Sequence, residues 1–382
     1  MFEKLSTRSK NLKPSAIRRF FAVPDDVVSL GIGEPDFDSP PSVIKASHAA
    51  LDAGKTHYTA NSGTAELRQL VSEDLEKRYG VRYNPDAEII ITVGGSEALY
   101  LAMASIVDPG DEVIILTPCF VSYQAMVELS GGICVEVPCK FENNFDLDID
   151  AVKAAITPKT KAILFGFPCN PTGAVASREQ LQELANLAVQ QDIALVSDEL
   201  YDQLIYGVEH VSVPSLPGAF DRTILIGGFS KNYAMTGFRI GFLAAPAAIM
   251  NSCYKIHQYL IMSAPTIAQY GAAAGIRESQ ADVIRMRDEY NRRRKFVVES
   301  LRAAGLPTVE PKGAFYVFPK IADTGLTSEA FALSLLDKFK VAVVPGNGFG
   351  AGGEGFVRIS YATSYEKLEI AMERIHQFMK SL

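Results

Sequence analysis

The chain has 382 residues, of which 48% are apolar and 21% are charged, and its formal net charge is −7. This is ordinary globular composition, and the length suits two lobes better than one core. The acidic net charge argues against a nucleic-acid-binding protein. The main basic run, NRRRK (291–295), does not change this, since it lies in a helical pattern typical of a solvated face.

Short apolar runs alternate with helical patterns through the first two thirds of the chain. Such alternation is typical of a mainly parallel sheet covered by helices on both faces. Ligands of open α/β sheets gather at the carboxyl ends of the strands, so the residues after each run are candidates for a site. The predicted strands are EIIITV (88–93), DEVIIL (111–116), KAILFGFP (161–168), IALVSDE (193–199) and TILIGGF (223–229), with helical stretches at 96–107 and 177–190.

A different pattern begins near residue 278. The sequence predicts a long helix from there to 304, and we place the boundary between two lobes at that helix. A smaller α+β region follows, with GAFYVFP (313–319), VAVVPG (341–346) and FVRISYA (356–362) as strand candidates. The N-terminal arm is expected to pack on this second lobe or on a partner subunit.

Cysteine spacing and hydropathy favour a reducing, aqueous compartment. The five cysteines include no CxxC pair, so a zinc site and a disulfide framework are both poorly supported. The polar N-terminus (1–14) lacks the apolar core of a secretion signal. The longest uncharged run, 256–276, contains Pro265, which favours a buried helix with a break over a membrane span. The sequence predicts a cytoplasmic protein with no metal, membrane or nucleic-acid partner.

Three polar stretches follow predicted strands. TVGGSEAL (92–99) is either a plain tight turn or a nest of backbone N–H donors for a phosphate at a helix start. In SDELY (197–201), Asp198 either caps a helix or pairs with a cationic ring nitrogen, and Tyr201 could donate to a phenolate-like oxygen. CNPTG (169–173) is ordinary turn chemistry, although its asparagine could offer an amide to an anionic ring oxygen.

One lysine and two arginines lie in unusual places. Lys231 comes just after an apolar run and between small residues, where desolvation lowers the pKa of an amine and favours Schiff-base chemistry. Arg239, eight positions later, could bind a phosphate with two hydrogen bonds. Arg358 lies inside the apolar run FVRISYA, where a fork-shaped grip on a carboxylate explains it better than packing does.

Together these residues offer a phosphate nest, a carboxylate for a ring nitrogen, two donors for a ring oxygen, an amine and a carboxylate clamp. Pyridoxal phosphate carries the matching groups, namely a phosphate, a pyridine nitrogen, a phenolic oxygen and an aldehyde. The sequence therefore predicts a pyridoxal 5'-phosphate site in which Lys231 forms an imine with the cofactor and Arg239 binds its phosphate.

The stretch GFSKNYAMTGFRIG (228–241) resembles the lysine signature of class I/II pyridoxal-phosphate-dependent aminotransferases, the aspartate aminotransferase-like family, at every constrained position. The resemblance covers nearly the whole chain. Its further motifs, in family order and spacing, are GIGEPDFDSP (31–40), HYTANSGTAELR (57–68), GGSEAL (94–99), PCFVSY (118–123), CNPTG, SDELY, GAFYVFP and VRISYAT (357–363).

The resemblance implies an α/β protein of fold type I and a homodimer whose active sites lie at the subunit interface. A large domain would hold a mostly parallel seven-stranded sheet between helices, and a smaller α+β domain would be built from both termini. On this basis residues 1–40 form the arm and part of the small domain, 41–277 the large cofactor domain, and 278–382 the linking helix and the rest of the small domain.

The resemblance also assigns the site residues. Lys231 forms the imine and transfers the proton, Asp198 pairs with the pyridine nitrogen, and Tyr201 completes the catalytic set. Arg358 grips the substrate α-carboxylate beside Gly33 and Asn170. The further cofactor contacts are Gly94, Gly95, Ser96, Phe120, Asn170, Tyr201, Ser230 and Arg239, with Tyr58 reaching the phosphate of the other subunit.

The implied reaction moves an amino group between an L-amino acid and a 2-oxo acid, with 2-oxoglutarate the favoured acceptor. A carbon–sulfur β-lyase on the same fold would share every cofactor residue, and a non-catalytic ligand-sensing module is the distant alternative. Two positions depart from many relatives: Gly228 replaces a serine that contacts phosphate, and Phe120 replaces a tryptophan of several aspartate-directed enzymes. Phe120 and the apolar arm around Ile17 favour aromatic or broad substrates, while the pocket residues near 15–18 stay unassigned.

Overall fold

A computed structural model describes residues 4–12, 14, 24 and 26–382. In chain order the strands are β1 (Val28–Ser29), β2 (Ile89–Thr92), β3 (Glu112–Thr117), β4 (Ile133–Pro138), β5 (Thr160–Gly166), β6 (Ala194–Asp198), β7 (Thr223–Gly228), β8 (Gly241–Ala244), β9 (Tyr316–Val317), β10 (Val341–Ala342), β11 (Val344–Pro345) and β12 (Val357–Ser360). The helices are α1 (Thr7–Asn11), α2 (Pro41–Asp52), α3 (Ala65–Tyr79), α4 (Gly94–Ile106), α5 (Ser122–Leu129), α6 (Ile149–Ala155), α7 (Arg178–Gln191), α8 (Ala247–Leu260), α9 (Thr266–Glu278), α10 (Gln280–Ala303), α11 (Ser328–Phe339) and α12 (Tyr365–Lys380).

Seven strands form one sheet in the order β2-β8-β7-β6-β5-β3-β4. β8 runs antiparallel to its neighbours β2 and β7, and the other neighbouring pairs are parallel. Successive residues of a strand face opposite helical layers, as the pleat requires. Ile163 packs in the core with Leu184 of α7, whereas the next residue, Leu164, packs in the core with Leu101 of α4. The prediction of a mostly parallel seven-stranded α/β fold is confirmed.

Two strands of this sheet were absent from the sequence prediction. β4 is an edge strand whose side chains are mostly half exposed, so its run ICVEVP lacks the apolar signature of the buried strands. β8 has only four residues and follows the lysine-bearing loop directly, so no separate run announces it. All five predicted strands form within two residues of their expected ends.

The apolar run 256–276 is interrupted, as its proline predicts. Helix α8 ends at Leu260, and α9 begins at Thr266 with Pro265 as its N-cap residue. Ser279 then separates α9 from the long helix α10, which ends within one residue of its predicted limit. Within 4–12, 14, 24 and 26–382, no helix is long and apolar enough to cross a membrane.

The C-terminal region forms a second, smaller layer. A three-stranded antiparallel sheet has the order β11-β12-β9, and β1 pairs in parallel with β10. Chain segments from both ends therefore meet here, and α10, α11 and α12 share their core. β12 is the central strand, which fixes Arg358 between two neighbours.

Candidate active site

A cavity of about 600 Å³ lies at the carboxyl ends of the parallel strands of the large sheet. Asn170 and Lys231 follow β5 and β7, and Asp198 is the last residue of β6 between them. Because these strands are neighbours, the three side chains meet at one edge, as the sequence predicts. The predicted residues that line the cavity are Gly33, Gly95, Ser96, Phe120, Asn170, Asp198, Tyr201, Ser230, Lys231, Arg239 and Arg358.

Two predicted residues do not line this cavity. Gly94 lies next to it, against the guanidinium of Arg239. Tyr58 is 80% exposed on the surface of the chain, so its predicted contact needs a second subunit. The predicted pocket residues near 15–18 lie outside the described residues.

Lys231 is a half-buried lysine whose amine points into the cavity. Its Nζ donates a hydrogen bond to the carbonyl of Gly33 at 2.8 Å, and that carbonyl comes from the N-terminal segment, 198 positions away. Burial lowers the pKa of Lys231 to about 8, with smaller lowering contributions from Arg358 and Arg239 and an opposing effect of Glu34. An appreciable fraction of the amine is therefore neutral and nucleophilic near physiological pH.

Asp198 is held by two donors at the end of β6. The hydroxyl of Tyr123 donates to Oδ2 at 2.8 Å, and the backbone N–H of Leu200 donates to Oδ1 at 3.2 Å. Burial raises the pKa of Asp198 to about 6, and both hydrogen bonds act against that rise. The carboxylate is thus fixed in orientation, desolvated and open to a cationic partner in the cavity.

The start of α4 is an anion nest. Gly94 has φ +70°, a left-handed conformation that glycine adopts without strain, and a Cβ there would lie 2.7 Å from Nη2 of Arg239. The first N–H groups of a helix lack intrahelical partners, so Gly95 and Ser96 offer donors at the positive end of the helix dipole. Arg239 adds a cation, and its own Nη1 donates to the carbonyl of Thr236 at 2.9 Å.

Gly228 has a steric reason in this chain. A Cβ at this position would lie 2.8 Å from Cδ2 of Leu200, which lies two residues after Asp198. A serine here would require the Leu200 side chain to shift, and its Cβ would also lie 3.2 Å from Cα of Gly241, so the glycine suits its close neighbours.

Arg358 is 1% exposed and only partly satisfied. Nη1 donates to Oδ1 of Asn170 at 2.9 Å, and Nη2 donates to the carbonyl of Gly31 at 2.5 Å. Nε is buried and has no partner within the described part of the chain. Since an unpaired buried donor is costly, the guanidinium is prepared for an acceptor such as a carboxylate.

The bond from Arg358 also fixes the amide of Asn170. A guanidinium carries only donors, so the amide atom that faces it must be the oxygen. The NH₂ group of Asn170 is then free to donate towards the cavity. One contact thereby prepares two groups, the clamp and the amide.

Three further residues of the site had no predicted function, although each lies in a quoted motif. Tyr123 of PCFVSY bonds Asp198, Tyr316 of GAFYVFP bonds Tyr201, and Glu34 of GIGEPDFDSP accepts a hydrogen bond from Thr236. The sequence places none of them near its partner, because the first two pairs are 75 and 115 positions apart.

Comparison with known proteins gives consistent matches over almost the whole chain. The family model for aminotransferase class I and II matches residues 25–375. An aspartate aminotransferase of Pyrococcus abyssi is 48% identical, and an aromatic-amino-acid aminotransferase of Thermococcus litoralis is 46% identical, each alignment covering 98% of both chains. The solved aspartate aminotransferase of Thermus thermophilus with maleate superposes with a TM-score of 0.94 at 40% identity, covering 100% of both chains.

Proposed function

The chain belongs to the aminotransferase class I and II family. We propose that it transfers amino groups with pyridoxal 5'-phosphate, which is held in the cavity at the carboxyl ends of β5, β6 and β7. The observation that carries this proposal is the Lys231 amine of lowered pKa, which shares one cavity with the Asp198 carboxylate and the Arg358 guanidinium. The aminotransferase activity itself follows from the family and from relatives that share almost half of the sequence.

The residues present fit the cofactor. The nest at Gly94–Ser96 with Arg239 suits the phosphate, and Asp198 suits a protonated pyridine nitrogen. Tyr201 and the free NH₂ group of Asn170 suit an anionic ring oxygen. The ring of Phe120, also in the cavity, suits stacking. Pyridoxal phosphate supplies an aldehyde that bonds to amines and a ring that accepts electrons from the substrate.

Within this arrangement the residues of the chain divide the work. Arg358 binds the substrate α-carboxylate and so orients the Cα–H bond. Lys231 Nζ, whose lowered pKa makes it a base, would take the proton from the substrate Cα and would return it at the carbon atom of the cofactor's aldehyde group. Asp198 keeps a positive charge at the ring nitrogen. One amine thus moves the proton in both directions, and no separate histidine or glutamate is required.

The charged residues that line the cavity indicate which class of amino acid it can bind. Among its described lining residues the cations are Lys231, Arg239 and Arg358, and each already has a proposed partner. This chain therefore offers no further cation for a second carboxylate, and Ile32 and Val121 add apolar surface. We propose an aromatic or broad range of amino donors, in line with relatives named for aspartate and for aromatic amino acids.

A donor panel tests this proposal. Purified protein with pyridoxal phosphate is expected to form glutamate from 2-oxoglutarate with tyrosine or phenylalanine, at rates at least comparable with aspartate. Lys231→Ala protein is the blank. Release of ammonia and pyruvate from sulfur amino acids, without glutamate formation, would instead identify a β-lyase. Activity confined to aspartate would contradict the aromatic preference.

Arg358 gives a second test. Arg358→Ala should lower kcat/KM by about 10²–10⁴-fold, since truncating one partner of a buried charged pair costs about 3–5 kcal/mol. Arg358→Lys should also be damaging, because an ammonium lacks the fork of donors. Cofactor content should stay near normal, because the nest around Gly94 and Arg239 binds the phosphate independently.

The informative comparison for Arg358 uses an amine without a carboxylate. The half-reaction of the amino acid should slow, while that of the amine should stay within a few fold of the unmodified protein. Equal slowing of both half-reactions would show that Arg358 supports the fold rather than the substrate.

We also propose a cytoplasmic homodimer with active sites at the interface. Support comes from an exposed apolar surface at the α8–α9 turn, where Tyr259 is 89% and Leu260 47% exposed. Asn61 donates to the carbonyl of Met262 in that turn, and this bond links the turn to the loop that carries Tyr58.

The proposed compartment is supported by the five free cysteines, which suit a reducing environment. The division into 1–40, 41–277 and 278–382 stays part of this proposal.

A further inference from the structure

Tyr316 lies between two groups with separate proposed functions. It is 1% exposed, comes from β9 and lines the cavity. Its hydroxyl is 2.9 Å from the hydroxyl of Tyr201. Its ring lies 4.5 Å from the guanidinium carbon of Arg358, within the range of a cation–π contact. One side chain therefore contacts both the ring-oxygen donor and the carboxylate clamp.

The bond between the two tyrosines has a direction that follows from proton counting. Each phenol has one proton to donate. If Tyr201 gives its proton to an acceptor in the cavity, its oxygen must accept in the bond with Tyr316, so Tyr316 is the donor. Burial raises the pKa of Tyr316 although Arg358 opposes that effect, so its phenol keeps the proton that this bond requires.

The surroundings hold Tyr316 in place. A Cβ at Gly33 would clash with the Tyr316 hydroxyl, so glycine at this position allows the close approach. The carbonyl of the same Gly33 accepts the bond from Lys231. The tyrosine pair, the lysine and the arginine are thus packed as one unit.

We propose that Tyr316 is a positioning residue of the reaction, whose hydroxyl aims Tyr201 at the cofactor and whose ring holds the guanidinium of Arg358. This inference rests on the proposed cofactor and on the proposed functions of Tyr201 and Arg358. It predicts that the two parts of the side chain, hydroxyl and ring, have separable effects.

The test compares Tyr316→Phe with Tyr290→Phe. Tyr290 is also buried in the core that contains Tyr316, and its hydroxyl has no partner among the described residues, which makes it a matched control. The main readout is the pH midpoint at which the visible absorbance of bound pyridoxal phosphate changes. A weaker bond from Tyr201 leaves more negative charge on the ring oxygen of the cofactor. That charge holds the proton on the adjacent lysine nitrogen more tightly, so the midpoint moves to higher pH.

Tyr316→Phe should raise that midpoint by about half to one pH unit, the scale of one lost hydrogen bond, and lower kcat about five- to tenfold. KM for the amino acid should change less than about twofold, since the ring stays beside Arg358. Tyr316→Leu removes the ring as well and should raise KM about tenfold. In a Tyr201→Phe background, adding Tyr316→Phe should change the midpoint by less than about a quarter of a unit, because the effect passes through Tyr201.

The inference is overturned if Tyr316→Phe matches Tyr290→Phe in midpoint and kcat, or if its effect persists undiminished without the Tyr201 hydroxyl. Should Tyr316→Phe fail to fold, 3-fluorotyrosine at position 316 keeps the hydroxyl, strengthens it as a donor and should lower the midpoint; no change would overturn the inference. Absence of cofactor absorbance or of amino transfer in the unmodified protein would instead contradict the proposed function.

Discussion

Lys231→Ala is expected to remove the covalent link between protein and cofactor and to lower turnover by about 10⁴-fold, the upper range for loss of a general acid–base group. The reason is that, in the proposed function, one amine both bonds the aldehyde and moves the α-proton. Borohydride reduction followed by peptide mapping should label Lys231 in the unmodified protein and no lysine in the variant. Lys77→Ala, an exposed lysine near the end of α3, is the matched control and should change neither result.

The pH dependence of cofactor capture gives an independent check on Lys231. Only the neutral amine attacks an aldehyde, so the capture rate should increase with pH and level off once Lys231 is deprotonated. Burial places that midpoint at about 8 instead of the ordinary 10.5. Stopped-flow mixing of apoprotein with pyridoxal phosphate measures it. A rate that still climbs steeply above pH 9, or a label on another lysine, would contradict the assignment.

The sequence was sufficient to locate residues that follow strands. Asn170, Asp198 and Lys231 each come after a buried apolar run, and parallel neighbours bring such positions to one edge. Arg358 stood out because a guanidinium in an apolar strand needs a partner. In these cases local pattern and sheet topology together determine where the side chain lies.

The supporting contacts could not be found in this way. Tyr123 lies on α5 and Asp198 at the end of β6, so their bond depends on how a helix packs across the sheet. Tyr316 lies on β9 of the small C-terminal sheet and Tyr201 follows β6 of the large sheet, so their bond depends on how these two regions pack together. No periodic pattern in the sequence predicts either of these contacts. The motifs that contain the two tyrosines show that the residues are present but not what they touch.

The structure also explains a choice that the sequence left open. Asp198 was compatible with a helix cap or a counter-ion, and it does accept the N–H of Leu200 two residues later. However, it also accepts the phenol of Tyr123 and lines the cavity. A simple cap needs neither contact, so the geometry supports the counter-ion while the local bond fixes its orientation.

Asp198→Ala is therefore expected to slow removal of the substrate α-proton by about 10²–10⁴-fold, on the scale of about 3–5 kcal/mol for breaking a buried ion pair. Without the carboxylate the ring nitrogen loses its positive charge and accepts electrons less readily. Asp198→Glu should be milder, because the charge is kept and only its position changes. Cofactor content should fall less than activity, since Lys231 and the phosphate nest stay intact.

The rate to measure is exchange of the α-proton of an amino acid with deuterium from solvent, per bound cofactor, because it reports proton removal without product release. Tyr123→Phe is the graded comparison: it keeps the carboxylate but removes a bond that lowers the pKa of Asp198. Since that pKa is already about 6, a further rise would leave part of the carboxyl protonated near neutral pH, and exchange should recover as the pH is raised. Asp198→Ala cannot recover in this way, because it has no group to titrate.

Two results would contradict this function of Asp198. One is exchange at a near-normal rate in the alanine variant, and the other is a loss that alkaline pH reverses equally in both variants. Either would mean that Asp198 is a structural cap and that another group keeps the ring nitrogen protonated.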